Sequence, residues 1–149
     1  MNAHAETPER YMREALNEAR NALGIDEVPV GAVVVCRGRI ISRAHNLTER
    51  LTDPTAHAEM QAITAAANFL GSRVLNECTL YVTLEPCPMC AGALYWCQMG
   101  RVVYGAPDPK RGLSTVSSAL LHPKTEVVGG VLAEECAALL TEFFREKRI

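Results

Sequence analysis

Between Thr79 and Gly105 the chain reads strand, helix, strand, and no other feature constrains the fold as much. The run TLYVTL (79–84) has the composition of a buried strand, and RVVYG (101–105) has that of a second, shorter one. Between them Pro88 stands where a helix tolerates proline best, in its first turn, and the helix runs to about Gln98. Two strands joined in this way lie parallel, with a right-handed crossover.

The flanking segments extend that unit. Thr7 suits a helix cap, Pro8 the first helical position and Gly24 the end, with Met12, Ala15, Leu16, Ala19, Ala22 and Leu23 at helical spacing between them. Val28 to Cys36 and Arg39 to Ala44 form a hairpin about a tight Arg37-Gly38 turn. Asp53-Pro54-Thr55 then punctuates the chain, with Thr55 expected to cap a helix from about Ala56 to Leu70. A loop rich in Pro, Gly and Ser runs from Ala106 to Lys124. A short strand at 126–128 and a helix from Ala133 to about Lys147 complete the pattern. The elements add up to a mixed sheet flanked by helices, an α/β layered fold. With no repeat, low-complexity tract or linker, the 149 residues read as one domain.

Composition narrows the function classes. The chain is 48% apolar and 21% charged, which excludes disordered and fibrous classes. No apolar run is long enough to span a bilayer, and MNAHAETPER has no signal-peptide segment, so a cytoplasmic location is expected. There, six cysteines argue for metal binding, redox chemistry or burial rather than disulfides. A net charge of −2 means that any nucleic-acid partner must be met by a local basic patch.

Cys87 and Cys90 stand three apart at the start of the crossover helix, on one side of its first turn. The positive end of a helix favours thiolates, the form that binds metal. Cys-Pro-Met-Cys also fits a thioredoxin-like redox pair, or two packed cysteines. Cys97 is seven residues further, roughly 10 Å along the helix, and Cys78 lies roughly 20 Å away along a strand. A four-cysteine zinc site is therefore hard to build, and Cys36, Cys78, Cys97 and Cys136 are assigned to the core.

Among the histidines, His4 lies in a tail, His122 in a loop, and His45 ends a strand. His57 begins a helix, with Glu59 two positions on. Residues two apart do not share a helical face, but in a first turn both can point past the helix end. One His and two Cys leave the fourth zinc position open, as a catalytic ion requires, and Glu59 can then reach the water there without ligating. His-x-Glu followed by Pro-Cys-x-x-Cys matches the signature of zinc deaminases.

Beyond these motifs, the blocks VPVGAVVV, HNLTERLTDPTAHAEMQAI, TLYVTLEPCPMCAGAL, GRVVYGAPDPKRG and GVLAEECAALLTEFFREKR resemble those of the bacterial tRNA adenosine deaminases, in the cytidine deaminase-like superfamily. The resemblance implies a three-layer α/β/α sandwich on a five-stranded mixed sheet, acting as a homodimer. It implies deamination of adenosine to inosine at the first anticodon position, with a tRNA anticodon stem-loop as partner. One zinc per chain would be held by His57, Cys87 and Cys90, with Glu59 as proton shuttle. Asn46 matches the amide that reads the purine edge, Val30 an apolar wall of the base pocket, and the backbone N–H of Ala58 a donor to the base. Asp108 matches a residue beside the flipped nucleotide's sugar and backbone. Without the resemblance, Val30 reads as core, Asn46 as a turn residue and Asp108 as a solvated loop acid.

The chain departs from some members in a shorter stretch after Gly112 and in Arg111, where a smaller residue is common. Its candidate RNA-backbone contacts are Lys110, Arg111, Arg145, Lys147 and Arg148, although the last three also read as a solvated helix face. Two alternatives compete: a small-molecule deaminase of the same fold, acting on guanine, cytosine or adenine, and a non-catalytic zinc-stabilised binding module. An open ligand position and Glu59 count against the module.

Overall fold

The computed structural model describes residues 7–116 and 118–147, so His4 and Arg148 lie outside the described residues. In chain order the elements are α1 (Pro8–Gly24), β1 (Gly31–Cys36), β2 (Arg39–His45), α2 (Ala58–Leu70), β3 (Cys78–Leu84), α3 (Pro88–Trp96), β4 (Arg101–Ala106), β5 (Glu126–Val128) and α4 (Ala133–Lys147). The sheet order is β2-β1-β3-β4-β5. β1 pairs antiparallel with both β2 and β3, while β3–β4 and β4–β5 are parallel. This is the mixed five-stranded sheet of the expected fold class.

Strand alternation assigns the layers. In β1, Ala32 and Val34 face one core with Ala58, Ala62, Ala66, Ala91 and Leu94 of α2 and α3. Val33 and Val35 face the other, with Tyr11, Met12, Ala15 and Leu16 of α1 and Cys136 of α4. Period two in the strands and a near-3.6 period in α1 therefore meet in a helix–sheet–helix sandwich. Leu80 is fully buried at the centre, and truncating such a leucine to alanine costs about 2–5 kcal/mol. α1 sits so close to the sheet that a Cβ on Gly31 would lie 2.1 Å from the Ala15 carbonyl oxygen.

Local chemistry explains the boundaries. The Thr7 hydroxyl accepts the Arg10 N–H at 3.4 Å and caps α1. Arg37 and Gly38 both have positive φ, at 52° and 76°, as the favoured two-residue hairpin turn demands. Thr55 does not cap α2. Its N–H and hydroxyl both donate to Asp53 Oδ1, at 2.8 and 2.7 Å, closing a local turn instead. The cap position falls to His57, in extended conformation, and the helix begins at Ala58. Likewise α3 ends at Trp96, two residues before the expected Gln98. Cys36, Cys78, Cys97 and Cys136 are all buried, as assigned. No helix among the described residues is long and apolar enough to cross a membrane.

Candidate active site

Ligands of open α/β sheets bind beyond the carboxyl ends of the strands, and here β3 and β4 deliver their C-terminal ends to one corner. β3 runs into Cys87, the residue that caps α3, and β4 runs into the loop that carries Asp108. From the other side of the same corner comes the start of α2, with His57 at its cap. Two helix N-termini therefore converge, each contributing partial positive charge where anionic groups gather.

His57 Nδ1 lies 3.7 Å from Cys87 Sγ and 3.5 Å from Cys90 Sγ. Among the described residues this is the one group of three potential ligands close enough to share an ion. A tetrahedral zinc with bonds of about 2.3 Å to sulfur and 2.0–2.1 Å to nitrogen sets N···S edges of roughly 3.6 Å. Both N···S distances match that edge, and the three donor atoms lie within 4.8 Å of one another.

The extended backbone of His57 resolves the problem of its spacing from Glu59. His57 is not yet helical, so its ring turns into the site while Glu59, in the first turn, enters from the helix. Glu59 is only 4% exposed, and burial pushes its carboxyl up to about 7. That value suits a group that must both take and give protons near neutrality. The two thiols are shifted in opposite directions. A hydrogen bond from Cys90, joined by His57, overcomes burial and lowers Cys87 to about 4. The same bond to Cys87, with desolvation and the charge of Glu59, pushes Cys90 up. His57 is raised chiefly by its hydrogen bond to Cys87. Metal binding would require both sulfurs as thiolates, the ligand form.

A cavity of about 230 Å³ opens onto these groups. Val30 and Ala58 line it with Asn46, and Asp108 and Arg111 lie along its rim. Asn46 is not an exposed turn residue. It is 6% exposed, its N–H donates to the Val30 carbonyl at 3.1 Å, and its amide nitrogen lies 3.4 Å from Glu27 Oε1. A carboxylate only accepts, so the amide oxygen of Asn46 is left for the cavity. Ala58 stands at the first position of α2, where a helix leaves its N–H without an intrahelical partner. The side chain of Asp108 bends back to accept the N–H groups of Lys110 and Arg111, at 3.1 and 3.0 Å. It shapes its own loop.

The cationic candidates are only partly gathered. Lys110 and Arg111 are exposed on that loop. Lys147 lies in an adjoining groove of about 450 Å³, which shares Val28 and Thr48 with the active cavity, and it pairs there with Asp26 at 2.7 Å. The groove is larger but has no donor cluster, so the chemistry belongs to the smaller cavity. Arg145 points elsewhere, beside Leu140 and Phe144. Both cations of α4 stand in its last turn, where they also complement the helix dipole.

Two carboxylates escaped the sequence reading. Glu27 is fully buried and accepts the N–H groups of Glu49 and Arg50, at 3.2 and 2.7 Å, beside Asn46. Glu85 is 2% exposed. Burial alone raises its pKa, but hydrogen bonds from Ser114 and the Asp108 N–H outweigh it and hold the group below the usual carboxylate range. Its signal in the sequence was an acid locked between an apolar strand and Pro86, a poor place for a solvated charge.

Comparison with known proteins settles the family. A model of the cytidine and deoxycytidylate deaminase zinc-binding region matches residues 5–106, the stretch that carries His57, Glu59, Cys87 and Cys90. The chain belongs to this deaminase family. Within the family it is 52% identical, over 145 residues, to a tRNA-specific adenosine deaminase of Bacillus subtilis, covering 94% of this chain and 90% of that one. A solved structure from work on A-to-I editing by wobble-position tRNA deaminases is 43% identical with a TM-score of 0.81, covering 87% and 98% of the two chains. A guanine deaminase from Nitrosomonas europaea is similar in fold, with a TM-score of 0.83 at 27% identity over 92% and 84%. As a member of the deaminase family, this chain is a zinc-dependent hydrolytic enzyme that takes one ion per chain.

Proposed function

We propose that the protein deaminates adenosine to inosine at the wobble position of tRNA, taking the anticodon stem-loop as partner, in the cytoplasm. The observation that carries this reading is the near full-length likeness to tRNA-specific adenosine deaminases, at 52% identity. It exceeds the likeness to guanine deaminases, 27% over 92% of this chain for one and 40% over only 66% for another, which supports the small-molecule alternative less well. A domain of this size takes an unpaired or flipped base, and an anticodon loop presents one.

In this reading His57, Cys87 and Cys90 hold the zinc. Bound there, zinc would lower the pKa of a water to about 7 and so supply a nucleophile near neutral pH. The side chains of the cavity do the rest. Val30 packs against the base while the Asn46 amide oxygen and the Ala58 N–H meet its polar edge. As the water oxygen bonds to C6, Glu59 accepts the water's proton and passes it to N1. Glu59 then relays the second proton to the exocyclic nitrogen, the C6–N bond breaks, and ammonia leaves. Water and adenosine are consumed; inosine and ammonia are produced. Asp108 holds the rim loop in shape beside the nucleotide's sugar, and Lys110, Arg111 and Lys147 face the RNA backbone.

The reading includes a homodimer. Met89 in the first turn of α3 and Tyr95 and Trp96 in its last are exposed, Trp96 by 74%, on the helix that Cys87 caps and whose first turn carries Cys90. A second copy covering this face would bury large apolar side chains that a monomer leaves in water. Incubating the protein with an anticodon stem-loop and digesting it to nucleosides tests the substrate. Inosine at the wobble position is expected, and an unaltered stem-loop would refute the assignment.

A further inference from the structure

The steps above leave two buried carboxylates, Glu27 and Glu85, without a part, and only Glu85 binds the loop at the cavity rim. Glu85 follows β3, two residues before Cys87, and lines the active cavity. Both of its oxygens are committed to the backbone of one loop. Oε1 accepts the Asp108 N–H at 2.9 Å, and Oε2 accepts the Ser114 N–H at 2.8 Å. The carbonyl of the next residue, Pro86, accepts the Leu113 N–H at 2.9 Å. The loop is thus stitched at three points to the strand end that leads into the metal-binding pair. Between the stitches it closes on itself, with the Gly112 N–H donating to the Asp108 carbonyl at 2.9 Å. A Cβ on Gly112 would lie 2.3–2.6 Å from the carboxyl atoms of Glu85, so only glycine permits the approach.

We propose that Glu85 is a positioning residue for the RNA substrate, holding the 107–114 loop in its binding shape before substrate arrives. A polar surface loop is ordinarily among the most mobile parts of a fold. Here a buried, charged acceptor fixes both ends of the segment that places Asp108 and Arg111 on the cavity rim. Preorganising it removes an ordering cost from binding. Glu59 and the three donor residues stand on the starts of α2 and α3, outside the loop, so chemistry once substrate is bound does not depend on the stitch. This inference rests on the anticodon stem-loop reading for its substrate.

The test compares steady-state kinetics on an anticodon stem-loop for the parent, Glu85→Gln and Gly112→Ala, together with zinc content and amide exchange at residues 108 and 114. Glutamine keeps the shape but replaces one acceptor with a donor facing an N–H. Gly112→Ala leaves the carboxylate in place and forces the loop off it, and so serves even if Glu85→Gln folds poorly. In both variants KM is expected to rise about tenfold, the equivalent of one lost hydrogen bond, while kcat changes by less than about threefold. Zinc stays at one per chain, and both amides exchange faster. With the Glu85→Ala single variant measured alongside, the double variant Glu85→Ala/Gly112→Ala should be no worse than its worse single change, because the added methyl occupies the space the carboxylate vacates. An unchanged KM, a fall in kcat equal to the fall in kcat/KM, or additive losses in the double variant each overturn the assignment. A parent that turns over free bases but ignores the stem-loop overturns the substrate reading, and the RNA role of Glu85 with it.

Discussion

His57, Glu59, Cys87 and Cys90 stand on the starts of two helices packed into the core, whereas Lys110 and Arg111 stand on an exposed loop and Lys147 on the solvent side of α4. At the first corner every group touches another: imidazole to two sulfurs, and a carboxyl only 4% exposed to the same cluster. At the rim, Lys147 pairs with an acid 72% exposed, a contact of the kind that contributes little. The contrast separates two design problems. Moving several protons at one atom requires fixed, desolvated groups, so the corner tolerates almost no change. Holding a flexible polyanion requires only charge within reach, so the rim should respond in graded steps.

The largest effect is expected from breaking the corner outright. Cys87→Ala should lose the zinc and all measurable activity, and should lower thermal stability because two helix starts meet at the ion. Metal analysis and a melting curve check it. A folded, fully metallated Cys87→Ala protein would mean the ion sits elsewhere.

Next in size is Glu59→Gln, which keeps shape and zinc but removes the proton carrier. General acid–base help is typically worth about 10²–10⁴-fold, so kcat should fall by at least that range with metal content unchanged. Turnover near the parent's would move the proton chemistry to another group.

The comparison also shows what the sequence made legible. β1 alternates between two cores and α1 repeats its apolar positions at helical spacing, so the layers could be read from local pattern. The candidate donor set of His57, Cys87 and Cys90 could be picked out for a similar reason, since each half of it is a short motif at a helix start. Glu85 and Glu27 could not, because their partners are backbone N–H groups 23 to 29 and 22 to 23 residues away. No local pattern registers a bond to a distant main chain. Thr55 does not cap α2 because its N–H and hydroxyl donate to Asp53 in a turn that delays the helix start to Ala58. Asn46 taken by itself reads as a turn residue, and only the family resemblance pointed it at the base, because its hydrogen-bond partners Val30 and Glu27 are distant in sequence.

At the rim, Lys110→Gln/Arg111→Gln should weaken stem-loop binding and flatten its salt dependence by roughly one unit of slope per lost phosphate contact. Zinc content should not change. An unaltered salt slope would remove both residues from the RNA surface and sharpen the contrast to Lys147 alone. A smaller effect again is expected at α3. Trp96→Glu should shift the mass in solution from dimer toward monomer at micromolar concentration, read by light scattering, and a parent that is already monomeric would remove the second copy from the account.

The substrate assignment is tested most directly by giving the unmodified enzyme a tRNA anticodon stem-loop alongside free guanine, cytosine and adenine, then assaying all four products by mass spectrometry. The account predicts inosine at the wobble position and little or no conversion of the free bases. A stem-loop left intact while free guanine or cytosine is deaminated would contradict it, and would place the protein among the small-molecule deaminases that share its fold.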